Sequence, residues 1–351
     1  MRKLLRLMAL LAAVLLALTG CGWRAEQDGL LVEHQVTFQP PPPPQVTLLY
    51  AGDLMLTRTP GDYILKGEDP FAGVASVLAG ADVTVGNLEC AVSTLGKAVP
   101  KRWNFRCSPK MAPVVATGFT AVSVANNHAG DFGKDAFAEM LDLLKQSGVK
   151  YLGGGKNAAE AHAPLIIEKG GYRFALLGYD EVEYESYKAG PHEPGLAWSG
   201  DDAQVVADIQ AARTKYKADF VIPYMHWGIE YKAGPSDRQR ALAHKMIDAG
   251  ADVVIGGHPH VTEGVEVYKG HVIVYALGNF VFDDFKDVSA ELNEPARTSW
   301  MARLTFDKGG LVKWDTVVTR TDDRGFPQPL HGTSSPCGDR QAEGIRMCKT
   351  P

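Results

Sequence analysis

The two histidines of Gly257-His258-Pro259-His260 stand one residue apart. The proline between them fixes the backbone and bars a helix, so one tight segment offers two imidazoles. Four other clusters mix carboxylate, amide and imidazole side chains with small residues: Gly52-Asp53, Gly86-Asn87-Leu88-Glu89, Asn126-Asn127-His128 and His226-Trp227-Gly228. Each follows directly on a short run that reads as a strand. Ligands of open α/β sheets bind beyond the carboxyl ends of strands, so five such clusters can converge on one edge. Singly they are weak signals: a Gly-Asp is usually a turn, and a lone strand-end histidine is usually just hydrogen-bonded. As a set, carboxylates, an amide and several imidazoles suit a divalent transition metal such as manganese, zinc or iron, as one or two ions. Carboxylates alone would suit calcium or magnesium.

The elements that must carry these clusters are legible from periodicity. Strands are expected at Val46–Ala51, Asp82–Val85, Thr120–Ala125, Phe220–Tyr224, Asp252–Ile255 and Val272–Leu277, with Leu165–Ile167 and Arg173–Leu177 as a pair. Helices are expected at Phe71–Ala79, Lys134–Gln146, Asp202–Lys215 and Arg238–Ala249, and a last hairpin at Trp300–Phe306 and Leu311–Val318. The alternation predicts an α/β domain over residues 45–320. Residues 321–351 read as a polar, irregular tail.

The 351 residues are 45% apolar and 22% charged, which excludes a disordered chain or a small disulfide knot. Thirty-six basic against 41 acidic residues give a net charge of −5, with no electrostatic reason to expect nucleic acid as a partner. Arg2, Lys3 and Arg6 precede an apolar run, Leu7 to Leu18, too short for the roughly 20 residues that span a bilayer. A secretory signal over residues 1–20 is expected. Its end, Leu18-Thr19-Gly20-Cys21, resembles a bacterial lipobox, which implies a lipidated Cys21 and a lipoprotein anchored on the extracytoplasmic face of a membrane. Pro40 to Pro44 close a linker, residues 21–44, as a stiff polyproline II spacer. Four further cysteines in an exported chain suggest disulfides. Three pairings are open; the local pairs Cys90–Cys107 and Cys337–Cys348 are preferred, the first closing a loop for about 3 kcal/mol.

With these motifs in order, the chain resembles the calcineurin-like metallophosphatase superfamily. Within that superfamily it resembles the bacterial capsule-biosynthesis CapA family, linked to poly-γ-glutamate. The resemblance rests on "GDLMLTR" at Gly52–Arg58, "GNLEC" at Gly86–Cys90, "ANNHAGDFG" at Ala125–Gly133, "HWGIEY" at His226–Tyr231, "GGHPHV" at Gly256–Val261 and "GNFVFD" at Gly278–Asp283. It implies a four-layer αββα sandwich with two mixed β-sheets. It implies Asp53, Glu89, Asn127, His226, His258 and His260 as metal ligands and His128 as a catalytic acid. Asp131 would orient His128. Glu89 replaces the superfamily's bridging aspartate, and Met55 stands where a second histidine ligand is usual, leaving one metal position doubtful. Trp227, Glu230, Tyr231 and Asn279 are candidates for a substrate groove, and Arg102 and Arg106, with Lys101, for meeting a phosphate or polyanion.

The expected function is a metal-dependent hydrolase in capsule or poly-γ-glutamate synthesis, acting on an anionic polymer or phosphoester, with a capsule-synthesis complex as a candidate partner. A non-catalytic subunit that binds or exports the polymer, or a general periplasmic phosphoesterase, are the alternatives.

Overall fold

The computed structural model describes residues 44–182, 187–283, 288–335 and 344–346. The signal segment, Cys21, most of the proline run and the Cys337–Cys348 pair lie outside them. Nineteen strands are described: β1 Val46–Leu54, β2 Val83–Leu88, β3 Ala91–Val92, β4 Arg106–Cys107, β5 Ala121–Ser123, β6 Lys150–Leu152, β7 Gly154–Gly155, β8 Leu165–Lys169, β9 Tyr172–Asp180, β10 Gly195–Leu196, β11 Phe220–His226, β12 Val253–Gly257, β13 Thr262–Tyr268, β14 His271–Leu277, β15 Asn279–Val281, β16 Thr298–Asp307, β17 Gly310–Thr321, β18 Pro327–Ser335 and β19 Gly344–Arg346. The helices are α1 Arg58–Leu65, α2 Ala75–Ala79, α3 Met111–Gly118, α4 Lys134–Gln146, α5 Ala158–Ala161, α6 Asp202–Thr214, α7 Asp237–Ala249 and α8 Ala290–Arg297.

Two mixed sheets form the centre. One runs β18-β17-β16-β1-β2-β5-β6, with β15 also pairing β1; the other runs β19-β13-β14-β12-β11-β9-β8. Alternation along each strand sorts its side chains between layers. On β11, Phe220, Ile222 and Tyr224 join Val46, Leu48 and Tyr50 of β1 in the core between the sheets. Val221 and Met225 point the other way, into a core shared with Val205 and Ile209 of α6 and Leu242 and Met246 of α7. On the outer face of the first sheet, Leu49 and Ala51 meet Phe137, Met140 and Leu144 of α4. Helix, sheet, sheet, helix: the four-layer αββα sandwich is the observed architecture.

The expected helix 134–146 has the bounds read from the sequence, and α7 starts one residue early under a capping box of Ser236 and Gln239. Two expectations are corrected. Phe71–Ala79 is not one helix: a 3-10 turn at Ala72–Val74 precedes α2. Gly73 packs so closely on the chain at Pro327 and Gln328 that a Cβ would meet their atoms at 2.5–2.7 Å. The tail is not irregular from residue 321: a turn with Asp322 and Gly325 returns the chain as β18, antiparallel to β17. Its two prolines hid it, and they are tolerated because β18 is an edge strand.

The parallel strands β1, β2 and β5 of one sheet, and β9, β11, β12 and β14 of the other, aim their carboxyl ends at one region. Tyr224 locks the sheets together there, its hydroxyl donating to Ala51 O at 2.7 Å. Gly52 lets the chain after β14 pass close: a Cβ would stand 1.8 Å from Gly278 O.

Candidate metal centre

Asp53 lies near the end of β1, Glu89 follows β2, Asn126 to His128 follow β5, His226 closes β11, and His258 and His260 follow β12. All are buried. Glu89 stands at the middle. Its Oε1 is 3.8 Å from His226 Nε2 and 4.0 Å from both His128 Nε2 and His260 Nε2. Neither carboxylate oxygen has a hydrogen-bond partner, although the residue is 0% exposed. An unpartnered buried charge is costly, and burial beside Asp53 pushes the Glu89 carboxyl well above its usual range. Ligand atoms of Glu89, His226 and His258, and of Asp53, Glu89 and His260, lie within 4.8 Å of one another. A cation among them would relieve the orphaned oxygens and use the imidazole lone pairs, so the residues fit a divalent transition metal. Burial holds His226 and His258 well below the usual histidine range, which leaves them neutral, as metal binding requires.

Amides brace these groups. Asn87 Nδ2 donates to Asp53 Oδ1 at 2.8 Å and lies 3.1 Å from His226 Nδ1. Asn126 Nδ2 donates to Asn87 Oδ1 at 3.0 Å and to Leu88 O at 2.9 Å, and its Oδ1 accepts the His128 amide. Asn127 Oδ1 is 2.8 Å from His226 Nε2, so both face the same space. The backbone N–H of His258 donates to Asp53 Oδ2 at 3.3 Å. His258 and His260 have φ of 96° and 60°, a conformation that side chains other than glycine rarely adopt and that clusters at functional sites.

His128 lies beside this group but is held by other partners. Its Nδ1 donates to Asp131 Oδ2 at 2.8 Å, and its ring stacks on Phe105 with centroids 3.9 Å apart. Asp131 also accepts the Phe105 N–H at 2.6 Å, and its Oδ1 forms an ion pair with Lys101 Nζ at 2.6 Å. Lys101 donates as well to Asn127 O at 2.6 Å. Burial pulls His128 down to about 4, against the opposing pull of Asp131, so its imidazole is neutral near pH 7 with Nε2 open. The Cys90–Cys107 disulfide, with β3 pairing β4, ties down the loop that brings Lys101 and Phe105 here.

A cleft of about 110 Å³ opens over His128 and His260, lined by Arg102, Trp103, Phe105, Glu230, Tyr231 and Phe282 among others. Glu230 is exposed there and within reach of His258 and His260; Tyr231 packs beside His260. Three expected contacts are placed elsewhere. Trp227 is fully buried on the helix side of its sheet, its indole donating to Tyr275 O at 2.8 Å, because it alternates with His226 along the chain. Arg106 stacks over Phe132 and donates to Ser93 O and Gly96 O, bracing its own loop. Asn279 is 1% exposed and serves His260 from behind. Met55 packs in the helix-side core, away from the cluster. The bracing roles of Asn87, Asn126, Lys101 and Phe105 were not read from the sequence; the first two lie inside the quoted motifs, while nothing local marks the others.

Fold and site together define an αββα domain with a buried cluster of carboxylates and imidazoles at the strand ends. The family model "Bacterial capsule synthesis protein PGA_cap" matches residues 47–284, and the chain belongs to that family. It is 34% identical over 248 residues to "Capsule biosynthesis protein CapA" of Bacillus anthracis, covering 68% of this chain and 60% of that one. It is 34% identical over 244 residues to "PGA biosynthesis protein CapA" of Bacillus subtilis (strain 168), covering 67% and 62%. The chain thus spans about three fifths of the length of these relatives. A hypothetical protein from Thermus thermophilus superposes with a TM-score of 0.49 at 16% identity, over 78% of this chain and 98% of that one.

Proposed function

We propose that this protein is a metal-dependent hydrolase of the cell envelope, acting on an anionic polymer or phosphoester in capsule or poly-γ-glutamate synthesis. The observation that carries the reading is Glu89: a fully buried carboxylate with two unpartnered oxygens, ringed by imidazole nitrogens at 3.8–4.0 Å. Glu89, Asn127, His226 and His258 would hold one divalent ion, with Asp53 and His260 on the side where Met55 supplies no ligand. When bound, such an ion supplies Lewis acidity and a nucleophile at neutral pH. His128 enters as a base: its neutral Nε2 takes up the proton that the attacking water loses, Asp131 stabilises the imidazolium through Nδ1–H, and that proton then passes to the leaving group. Phe105 and Lys101 fix the ring and the carboxylate in that pose. The family relationship supports the capsule role. The lipobox resemblance at Cys21 supports a lipid anchor on the extracytoplasmic face.

Met55 favours a second reading. A core methionine in place of a ligand leaves a single well-furnished metal position, and such a site can shape a polymer-binding subunit without turnover. Hydrolysis of γ-linked glutamate oligomers and of phosphoesters by the metal-loaded full-length chain, beside its His128→Ala variant, separates the two. Turnover lost in the variant supports the hydrolase. Equal rates overturn the role given to His128, and no turnover with any substrate while metal is bound selects the accessory subunit.

A further inference from the structure

At the rim of the cleft, the indole of Trp103 is 38% exposed, unusual for so large an apolar group. Two guanidinium groups flank it: Arg102 with Cζ 5.1 Å from the ring centroid and Arg58 at 5.5 Å. They reach it from separate segments. Arg102 and Trp103 sit on the loop closed by Cys90–Cys107, whereas Arg58 opens α1 with φ of 55° and its Nε lies 3.6 Å from Asp283 Oδ1. Asp283 also accepts the Thr59 amide at 2.9 Å, so the start of α1 is held where it presents Arg58 to the indole. Arg102 and Trp103 also line the cleft over His128, so the pair continues the site outward.

A guanidinium stacked on an indole can grip a carboxylate through its in-plane N–H groups, a role that falls to Arg102, while Arg58, held by Asp283, adds positive charge at the other side of the ring. The flat indole offers a surface for the apolar stretch between two charges. The cleft itself, about 110 Å³, has room for one reacting group. A ligand that used both the cleft and the arginine–tryptophan ledge must be a chain with charges on neighbouring repeats.

We propose that Arg58, Trp103 and Arg102 form a recognition ledge for a polycarboxylate chain, gripping the repeats that flank the one lying over His128 and thereby selecting polymer over small phosphoester. The inference rests on the proposed polymer reading for the chemistry of the chain. It assigns the grip to residues outside the metal cluster, and it gives Arg106, once a candidate for the same task, a purely structural one.

The test reads binding without turnover, so that a failed hydrolase reading and a failed ledge are distinguishable. The full-length chain in non-ionic detergent, stripped with EDTA, is titrated calorimetrically with a γ-linked glutamate decamer, the matching glutamine decamer, free glutamate and a linear polyphosphate of similar charge. The glutamate decamer is expected to bind at least about tenfold tighter than the other three. Trp103→Ala and the double variant Arg58→Gln, Arg102→Gln should each weaken it by about tenfold or more, and Trp103→Phe, which keeps a flat ring, by no more than about threefold. Unchanged thermal unfolding shows that the variants are folded. Variants that bind like the parent, a parent that binds the neutral decamer equally well, or a parent that binds no decamer would overturn the ledge. Equal or tighter binding of polyphosphate would overturn its assignment to carboxylates.

Discussion

His260 Nδ1 and Asn279 Oδ1 are 2.8 Å apart, and the amide nitrogen of Asn279 is committed to two carbonyls, His260 O and Ala296 O. The amide can therefore only accept from the ring. His260 must carry its proton on Nδ1, and the lone pair of Nε2 is turned toward Glu89. This is how an outer partner fixes the tautomer of a metal-binding histidine.

Replacing Asn279 by alanine should accordingly weaken metal binding by about 10–100-fold with the fold retained. Competitive titration of the stripped chain with zinc or manganese against a chelating dye checks this. An unchanged affinity would mean that His260 is not a ligand.

His128 lies next to the cluster but is engaged by Asp131 and Phe105 rather than by the ligand set. His128→Ala should leave metal content unaltered and lower turnover by about 10²–10⁴-fold. Asp131→Asn, which offers Nδ1 no carboxylate, should lower turnover in the same direction and leave an imidazolium less stabilised. Elemental analysis beside steady-state kinetics separates this proton-handling role from a ligand role; loss of metal in His128→Ala would assign the histidine to the metal.

Glu263 on β13 is fully buried, with Oε2 accepting from Gln239 Nε2 at 2.6 Å and Oε1 unpartnered. Burial pushes its carboxyl up from 4.5 to about 7. The folded state thus holds this proton more tightly than the unfolded state. Its contribution to stability is fully present below 4.5 and is lost as the pH rises through about 7. Glu263→Gln cannot lose a proton. Between about pH 4.5 and 8, stability should shift in the variant's favour by about 3 kcal/mol, read from chemical unfolding at several pH values. Parallel profiles for variant and parent would contradict it.

Much of the candidate cluster was readable because its carboxylates and imidazoles sit in short motifs directly after strands, where chain order and α/β topology bring them together. Cys90–Cys107 was the preferred one of the open pairings because the two cysteines are near in sequence, and the fold contains it. Trp227 misled because it adjoins His226, and alternation on a strand sends neighbours to opposite faces. Arg106 misled because charge alone does not tell a brace from a binding group. Asn279 stood in a motif, but its partner His260 is 19 residues away and only the folded chain joins them. Lys101 reaches Asp131 across 30 residues, and Arg58 reaches Trp103 across 45, distances that no local pattern encodes. The strand β18 was hidden by its own prolines, which an edge position accommodates.

Glu89 is the carboxylate on which the proposed metal centre depends. The most direct test is the metal content of the full-length chain by elemental analysis, with Glu89→Gln and His258→Ala beside the parent and thermal unfolding recorded with and without EDTA. At least about one transition-metal ion per parent chain is expected. Both variants should lose most of the metal, and the parent should melt higher with metal than without while Glu89→Gln does not respond. A well-folded parent that carries no manganese, zinc or iron, and gains no thermal stability when they are added, would contradict the metal centre.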